Sequence, residues 1–296
     1  MSTITIKLSN KELEEVESFI QILTHEKKTT PNYAMYSYQI GNCRVTAYPG
    51  GKLLFQGNDC KSVSDLLLGK NKKLEVITMN EQYPQAGSDE VGTGDYFGPV
   101  VVCACIVNPN DVDFLNQLGV NDSKMMTDEL ILKIGPQLIQ RLLYSLLVLD
   151  NAKYNEIHPH NNMVAIKAKL HNQAYVHLRK KANGLPSLCI VDQFVAKNTY
   201  YKYLQGQPEV VEGLHFETKA EHKYLAVAAS SVIARYAFLK KMEEMNHKFG
   251  MIFEKAASYK VDQSGVQFVK KYRQNALNEV AKIHFVNTKK ILATLS

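Results

Sequence analysis

Residues 3–8 (TITIKL) alternate, with Ile4, Ile6 and Leu8 on one face, which is the period of a strand. Ser9 or Asn10 then precedes Leu13, Val16, Ile20 and Leu23 at helical spacing. Glu12, Glu14 and Glu15 fall in the first turn, where the helix dipole favours acids. Three strand-like pieces follow, YAMYSYQI, CRVTAYP and KLLFQG, with Pro49-Gly50-Gly51 as the turn between the last two. A short helix over 62–68 closes the run. Strand, helix, several antiparallel strands and helix within about 70 residues predict a small α+β domain.

Residues 69–84 are polar with one apolar stretch, the composition of a linker. Beyond them the pattern predicts strands over 85–89, 100–107, 142–149 and 188–192. Helices are expected over 127–139, 162–181, 221–248, 261–272 and 276–292. Strands early and helices late give a mixed α/β domain of about 210 residues. The expected organisation is a small domain over 1–72, a linker over 73–84 and a larger domain over 85–296.

Composition narrows the class. The chain has 296 residues, 45% apolar and 22% charged, which excludes a disordered or collagen-like chain. Its longest apolar runs, such as Val100–Val107, are too short to span a bilayer. The N-terminus lacks the basic-then-apolar pattern of a signal peptide, so the expected location is the cytoplasm, with no membrane partner. Five cysteines form no C-x-x-C pair. Cys103 and Cys105 fall on one face of VVVCACIV and are expected to be plain buried thiols. The net charge of +6 is concentrated: from residue 240 onward there are 11 Lys and Arg against 5 Asp and Glu. A basic C-terminal segment suggests an anionic partner, although a solvated helical surface has the same composition.

The densest chemical feature is Gly87-Ser88-Asp89-Glu90-Val91-Gly92-Thr93-Gly94-Asp95-Tyr96-Phe97-Gly98-Pro99. Two adjacent carboxylates stand where a strand gives out. Neighbours on a strand point to opposite faces, so Asp89 and Glu90 diverge unless the chain turns there; Gly92 and Gly94 permit a turn and a close backbone approach by a ligand. The glycine spacing is neither the dinucleotide fingerprint nor a P-loop. A glycine turn with incidental acids also has this look. Asp192 ends the apolar run Leu188–Asp192, at the kind of strand end where α/β domains bind ligands, or serves as a turn residue. Glu221, before AVAASSVIARY, is expected at a helix N-terminus, as a ligand or as a cap. Carboxylates without a Cys or His cage suit Mg²⁺ or Mn²⁺, not zinc. Two such ions can activate water and stabilise the leaving oxygen of a phosphodiester.

The glycine segment resembles the signature of type 2 ribonucleases H, and its Gly92-Thr93-Gly94 version resembles the ribonuclease HIII branch. Asn121-Asp122-Ser123-Lys124, Val191-Asp192-Gln193-Phe194, Lys219-Ala220-Glu221 and Ala229-Ser230-Ser231-Val232-Ile233-Ala234-Arg235 match in the same order. Tyr48-Pro49-Gly50-Gly51-Lys52-Leu53-Leu54-Phe55-Gln56-Gly57 is similar to a TATA-binding-protein-like repeat, the N-terminal extension of that branch.

The resemblance implies a ribonuclease H-like catalytic domain with C-terminal helices behind a TATA-binding-protein-like substrate-binding domain. It implies an endonuclease, dependent on Mg²⁺ or Mn²⁺, that cuts the RNA strand of RNA/DNA hybrids and leaves 5′-phosphate and 3′-hydroxyl ends. Asp89, Glu90 and Asp192 would be metal ligands, and Glu221 the fourth catalytic carboxylate, a position that is often Asp in type 2 enzymes; Asp262 is the alternative. Gly92, Thr93 and Gly94 would meet the 2′-hydroxyls of RNA. Ser123, Lys124 and Lys52 would contact the substrate, with Tyr33, Tyr36, Tyr38 and Tyr48 on the small sheet near Lys52, although alternation turns about half of these tyrosines onto the domain's own helices. No obligate protein partner is indicated. A different two-metal nuclease or transferase, and a silent hybrid-binding protein, are the competing classes; crowded carboxylates argue against the second.

Overall fold

The computed structural model describes residues 2–21, 23, 25–31, 34–68, 80, 82–120 and 126–295. The chain divides into two compact units, Met1–Val76 and Ile77–Ser296. Most of the expected linker, like Ser123, Lys124 and Tyr33, lies outside the described residues.

In the first unit, strands β1 (Ser2–Lys7), β2 (Glu26–Lys27), β3 (Tyr36–Ile40), β4 (Cys43–Tyr48) and β5 (Lys52–Gly57) form an antiparallel sheet in the order β1-β5-β4-β3-β2. Helices α1 (Asn10–Ile20) and α2 (Cys60–Leu68) complete it. Ser9 and Glu12 cap α1 reciprocally, as a serine three residues before a glutamate permits. Leu13, Val16 and Ile20 are buried with Tyr36, Tyr38, Val45, Leu53 and Phe55, so one face of the sheet packs on helix and alternation sends the other outward.

In the second unit, β6 (Gln85–Val91), β7 (Val100–Val107), β8 (Leu143–Leu149), β9 (Leu188–Asp192) and β10 (His215–Glu217) form a mixed sheet in the order β10-β9-β6-β7-β8. Strands β6, β7 and β8 pair antiparallel, whereas β9 runs parallel to both β6 and β10. All of β7 is buried. Val101, Cys103, Cys105 and Val107 join the core on one face, and Val102, Ala104 and Ile106 the core on the other. The five cysteines are free and buried.

The helices are α3 (Val112–Gln117), α4 (Asp128–Arg141), α5 (Asn151–Ile157), α6 (Met163–Ala182), α7 (Lys197–Tyr203), α8 (Leu225–Phe249), α9 (Tyr259–Tyr272), α10 (Leu277–Val280) and α11 (Val286–Ala293). Helix α8 covers one face of the sheet and α6 the other. Gly87 lets α8 come close: a Cβ there would stand 2.3 Å from the backbone nitrogen of Val227. The helix expected over 276–292 is interrupted. Ala281 is extended and pairs with Phe97, while Lys282 turns its backbone N–H to the Tyr96 carbonyl, so tertiary partners replace helical ones. No helix among the described residues is long and apolar enough to cross a membrane.

Candidate active site

Strand β6 continues through Asp89 and Glu90 to Val91, so the chain does not turn between them and the two carboxylates diverge. Ser88 and Glu90 face α6. His171 lies between them, with Nδ1 2.8 Å from the Ser88 hydroxyl and Nε2 2.9 Å from Glu90 Oε2. Lys167, one turn earlier on α6, pairs with Glu90 Oε1. Gly87 and Asp89 face α8 instead: Ser230 donates to the Gly87 carbonyl at 2.7 Å, and Ser231 favours the ionised form of the Asp89 carboxyl.

Asp192 ends β9. Because Ser88 pairs with Val191 in parallel register, Asp89 and Asp192 come side by side one residue further on. Asp192 Oδ1 accepts the backbone N–H of Ala220 at 2.8 Å. Lys219 makes that approach with a left-handed backbone (φ 54°), turning the chain into the single 3-10 turn Ala220–His222. Glu221 is buried in this turn, its Oε1 3.4 Å from His222 Nε2. The expectation that Glu221 opens the long helix is corrected: α8 starts at Leu225, and the 3-10 turn intervenes because Ala220 is drawn to Asp192.

The electrostatics separate the adjacent acids. Burial pushes the Asp89 carboxyl up to about 8, with Glu90 and then Asp192 adding to the rise and Ser231 opposing it. Burial also works against ionised Glu90, but His171 and then Lys167 outweigh it and hold that carboxyl below its ordinary value. Among the described residues no three His, Cys, Asp or Glu side chains already converge as a metal cage; the Glu90 oxygens are turned to α6. The donor set is nonetheless all carboxylate, and Asp89 sits amid surplus negative charge that a hard divalent cation would neutralise.

Beyond β6 the glycines act differently. Gly92 is left-handed (φ 93°), and a Cβ there would lie 2.1 Å from the Pro99 carbonyl oxygen. Its own carbonyl accepts Asp95 N–H at 3.4 Å. Thr93 is half-buried, and Gly94 is exposed with open space around its α-carbon. The following residues are held by the C-terminal segment: Ala256 N–H reaches the Asp95 carboxylate at 2.5 Å, and Lys282 Nζ reaches the carbonyls of Asp95 and Gly98.

Asp262 lies apart from this arrangement. It is on α9, where Asn287 donates to Oδ1 at 2.5 Å and Lys290 approaches at 3.8 Å. In the first unit Lys52 is exposed at the start of β5, with Nζ 5.6 Å from the Tyr48 ring centre and Lys7 opposite in register. Tyr36 and Tyr38 do not join it. They are buried towards α1, where Tyr36 donates to the Leu13 carbonyl and Tyr38 to Glu17. Much of the basic C-terminal charge is also engaged: Lys240, Lys241, Lys248 and Lys255 pair with Glu243, Glu244, Glu279 and Asp128.

Sequence reasoning missed Lys167, His171, Ser231 and Lys282. The Lys-x-x-x-His spacing places Lys167 and His171 on one helix face, but nothing in the sequence says which strand that face meets.

The family described as Ribonuclease HII matches residues 86–288, and a domain of unknown function, DUF3378, matches residues 3–77. A ribonuclease HIII of one Bacillus cereus strain is 39% identical over 282 residues, covering 90% of this chain and 91% of that protein. The ribonuclease HIII of a second Bacillus cereus strain is 37% identical over an alignment of 310 positions, covering 99% of each. Among solved structures, Bst-RNase HIII in complex with Mn²⁺ is 31% identical with a TM-score of 0.71, covering 99% of both chains. The chain belongs to the ribonuclease HII family, in its ribonuclease HIII branch of ribonuclease H enzymes.

Proposed function

We propose that this ribonuclease H cleaves the RNA strand of RNA/DNA hybrids with two divalent ions, Mg²⁺ or Mn²⁺, held by Asp89, Glu90 and Asp192, and leaves 5′-phosphate and 3′-hydroxyl ends. The observation that carries this reading is the placement of Asp89 beside Asp192, with its carboxyl pushed up to about 8 by burial and by its two acidic neighbours. When bound, the ions supply an activated water and charge stabilisation at the leaving oxygen. Bst-RNase HIII, the relative solved with Mn²⁺, supports the choice of ion class.

The chain's own residues do the rest. Ala220 N–H holds Asp192 and Glu90 N–H holds Asp89, so that these two carboxylates need little reorganisation. Glu221, in the turn beside Asp192, is the fourth carboxylate and positions water or product. Gly92, Thr93 and Gly94 present a tight turn with an exposed tip to the 2′-hydroxyls that distinguish RNA from DNA. Ser123 and Lys124 contact phosphates. Lys52, beside Tyr48 and Lys7 on the outward face of the small sheet, contributes to a second substrate surface with shape and modest charge.

The test is hydrolysis of a labelled RNA/DNA hybrid, duplex RNA, duplex DNA and single strands, each with Mg²⁺, Mn²⁺ or EDTA, with end-group analysis of the products. Cleavage confined to the hybrid's RNA strand, abolished by EDTA and giving 5′-phosphates, is expected. Cleavage that persists in EDTA, or that yields 3′-phosphates, would overturn the two-ion reading.

A further inference from the structure

Glu90 is met from one side by a single helix. Lys167 of α6 pairs with its Oε1, and His171, one turn later, reaches its Oε2 at 2.9 Å. The pair is nearly dry, with both the Lys167 and Glu90 side chains only 12% exposed. A fixed positive charge therefore already lies against a carboxylate that the proposed function assigns to a divalent ion. That charge has a second seat: Lys167 Nζ stands 4.0 Å from the ring centre of Phe194, two residues beyond Asp192. An ammonium over an aromatic face keeps part of its stabilisation when it leaves an anion. His171 is fixed independently, through Ser88 at 2.8 Å, so Glu90 keeps one oriented contact without Lys167.

We propose that Lys167 is a built-in counter-cation that steadies Glu90 in the metal-free protein and competes with the divalent ion for it, thereby setting how much metal the enzyme requires. The inference rests on the reading of Glu90 as a metal-holding residue. Its physical basis is charge: a monocation beside Glu90 satisfies the carboxylate and repels an incoming dication, at a site too dry for solvent to screen either effect. Removing it leaves an under-compensated cluster of acids that attracts metal more strongly.

The experiment is calorimetric titration of Mn²⁺ alone, without nucleic acid, into the full chain at one pH. The proteins are the wild type, Lys167→Met, Lys167→Arg and Asp89→Asn. Lys167→Met should bind Mn²⁺ on the order of tenfold more tightly than the wild type. Lys167→Arg, which keeps the charge, should stay near the wild type. A merely structural lysine would give unchanged or weaker binding when truncated. That result, or Lys167→Arg tightening as much as Lys167→Met, overturns the proposal; Lys167→Gln carries the same test if Lys167→Met does not fold. Asp89→Asn should bind Mn²⁺ much more weakly. If it binds as the wild type does, the carboxylate site itself is wrong and the Lys167 inference falls with it, which separates the two failures.

Discussion

The buried side chain of Lys282 donates from Nζ to the carbonyl of Gly98 at 2.5 Å, tying the C-terminal segment to the end of the glycine motif. The same amine reaches the Asp95 carbonyl at 2.8 Å, and Asn151 supplies a second donor to Gly98 at 2.9 Å. Burial pulls the Lys282 amine down to about 7, against a smaller opposing pull from Asp95. An unfolded lysine titrates near 10.4. Between those values the unfolded chain binds a proton that the folded one does not, so stability rises with pH across the window and is lost as pH falls towards 7. Urea unfolding from pH 7 to 10 should show that Lys282→Met is less stable than the wild type by a margin that grows with pH. The slope of the difference should approach about 1.4 kcal/mol per pH unit mid-window. A margin independent of pH would mean that Lys282 keeps its charge inside the protein.

Asp89→Asn should separate stability from activity. With its carboxyl raised to about 8, metal-free Asp89 holds a proton that the unfolded chain has released, so its contribution to stability falls as pH rises from about 4 to 8. Asparagine removes that loss. Without metal at pH 8 the variant should unfold later than the wild type, by on the order of 1–2 kcal/mol. Hybrid cleavage should fall by several orders of magnitude while hybrid binding survives. Near-wild-type turnover would remove Asp89 from the catalytic site.

Proton release gives a second view of the same group. If the ion displaces the Asp89 proton, Mn²⁺ binding at pH 7 should release about one proton. Calorimetry in buffers of different ionisation enthalpy reads that number. The release should be absent in Asp89→Asn and should shrink in the wild type as pH rises past about 8.

Glu221 and Asp262 are distinguished by their surroundings. Glu221 follows the residue whose N–H holds Asp192, whereas Asp262 is engaged by Asn287 and Lys290 between α9 and α11. Glu221→Gln should lower kcat strongly with little change in KM. Asp262→Asn should affect turnover mildly and act mainly through stability, by about 1–2 kcal/mol for the lost ion-assisted bonds. The reverse ranking would reassign the fourth carboxylate.

The first unit carries nearly balanced charge, with 10 basic and 8 acidic residues over 1–80. Its contribution to hybrid affinity should therefore depend weakly on salt. Removing residues 1–76 should leave metal-dependent cleavage at saturating hybrid, but with much weaker binding and a nearly unchanged slope of log affinity against log salt. Equal affinity of the truncated and full chains at matched salt would exclude this unit as a substrate-binding module.

Much of this protein is legible in its sequence, because strands and amphipathic helices announce themselves by local period. Val100–Val107 and Leu188–Asp192 have the predicted bounds, and the glycine motif marks the end of β6. Alternation alone requires Asp89 and Glu90 to face opposite ways once the strand runs straight. Tertiary structure decided what each then meets. Parallel pairing of β6 with β9, which no local pattern encodes, sets Asp89 beside Asp192; the packing of α6 across the other face gives Glu90 a lysine and a histidine. It also broke the predicted C-terminal helix at Ala281 and Lys282, where the Lys282 N–H bonds to the Tyr96 carbonyl and the Lys282 side chain to the Gly98 carbonyl. Period is a property of neighbours along the chain. Charge compensation, burial and register belong to residues some 80 to 190 positions apart, and only the folded chain fixes them.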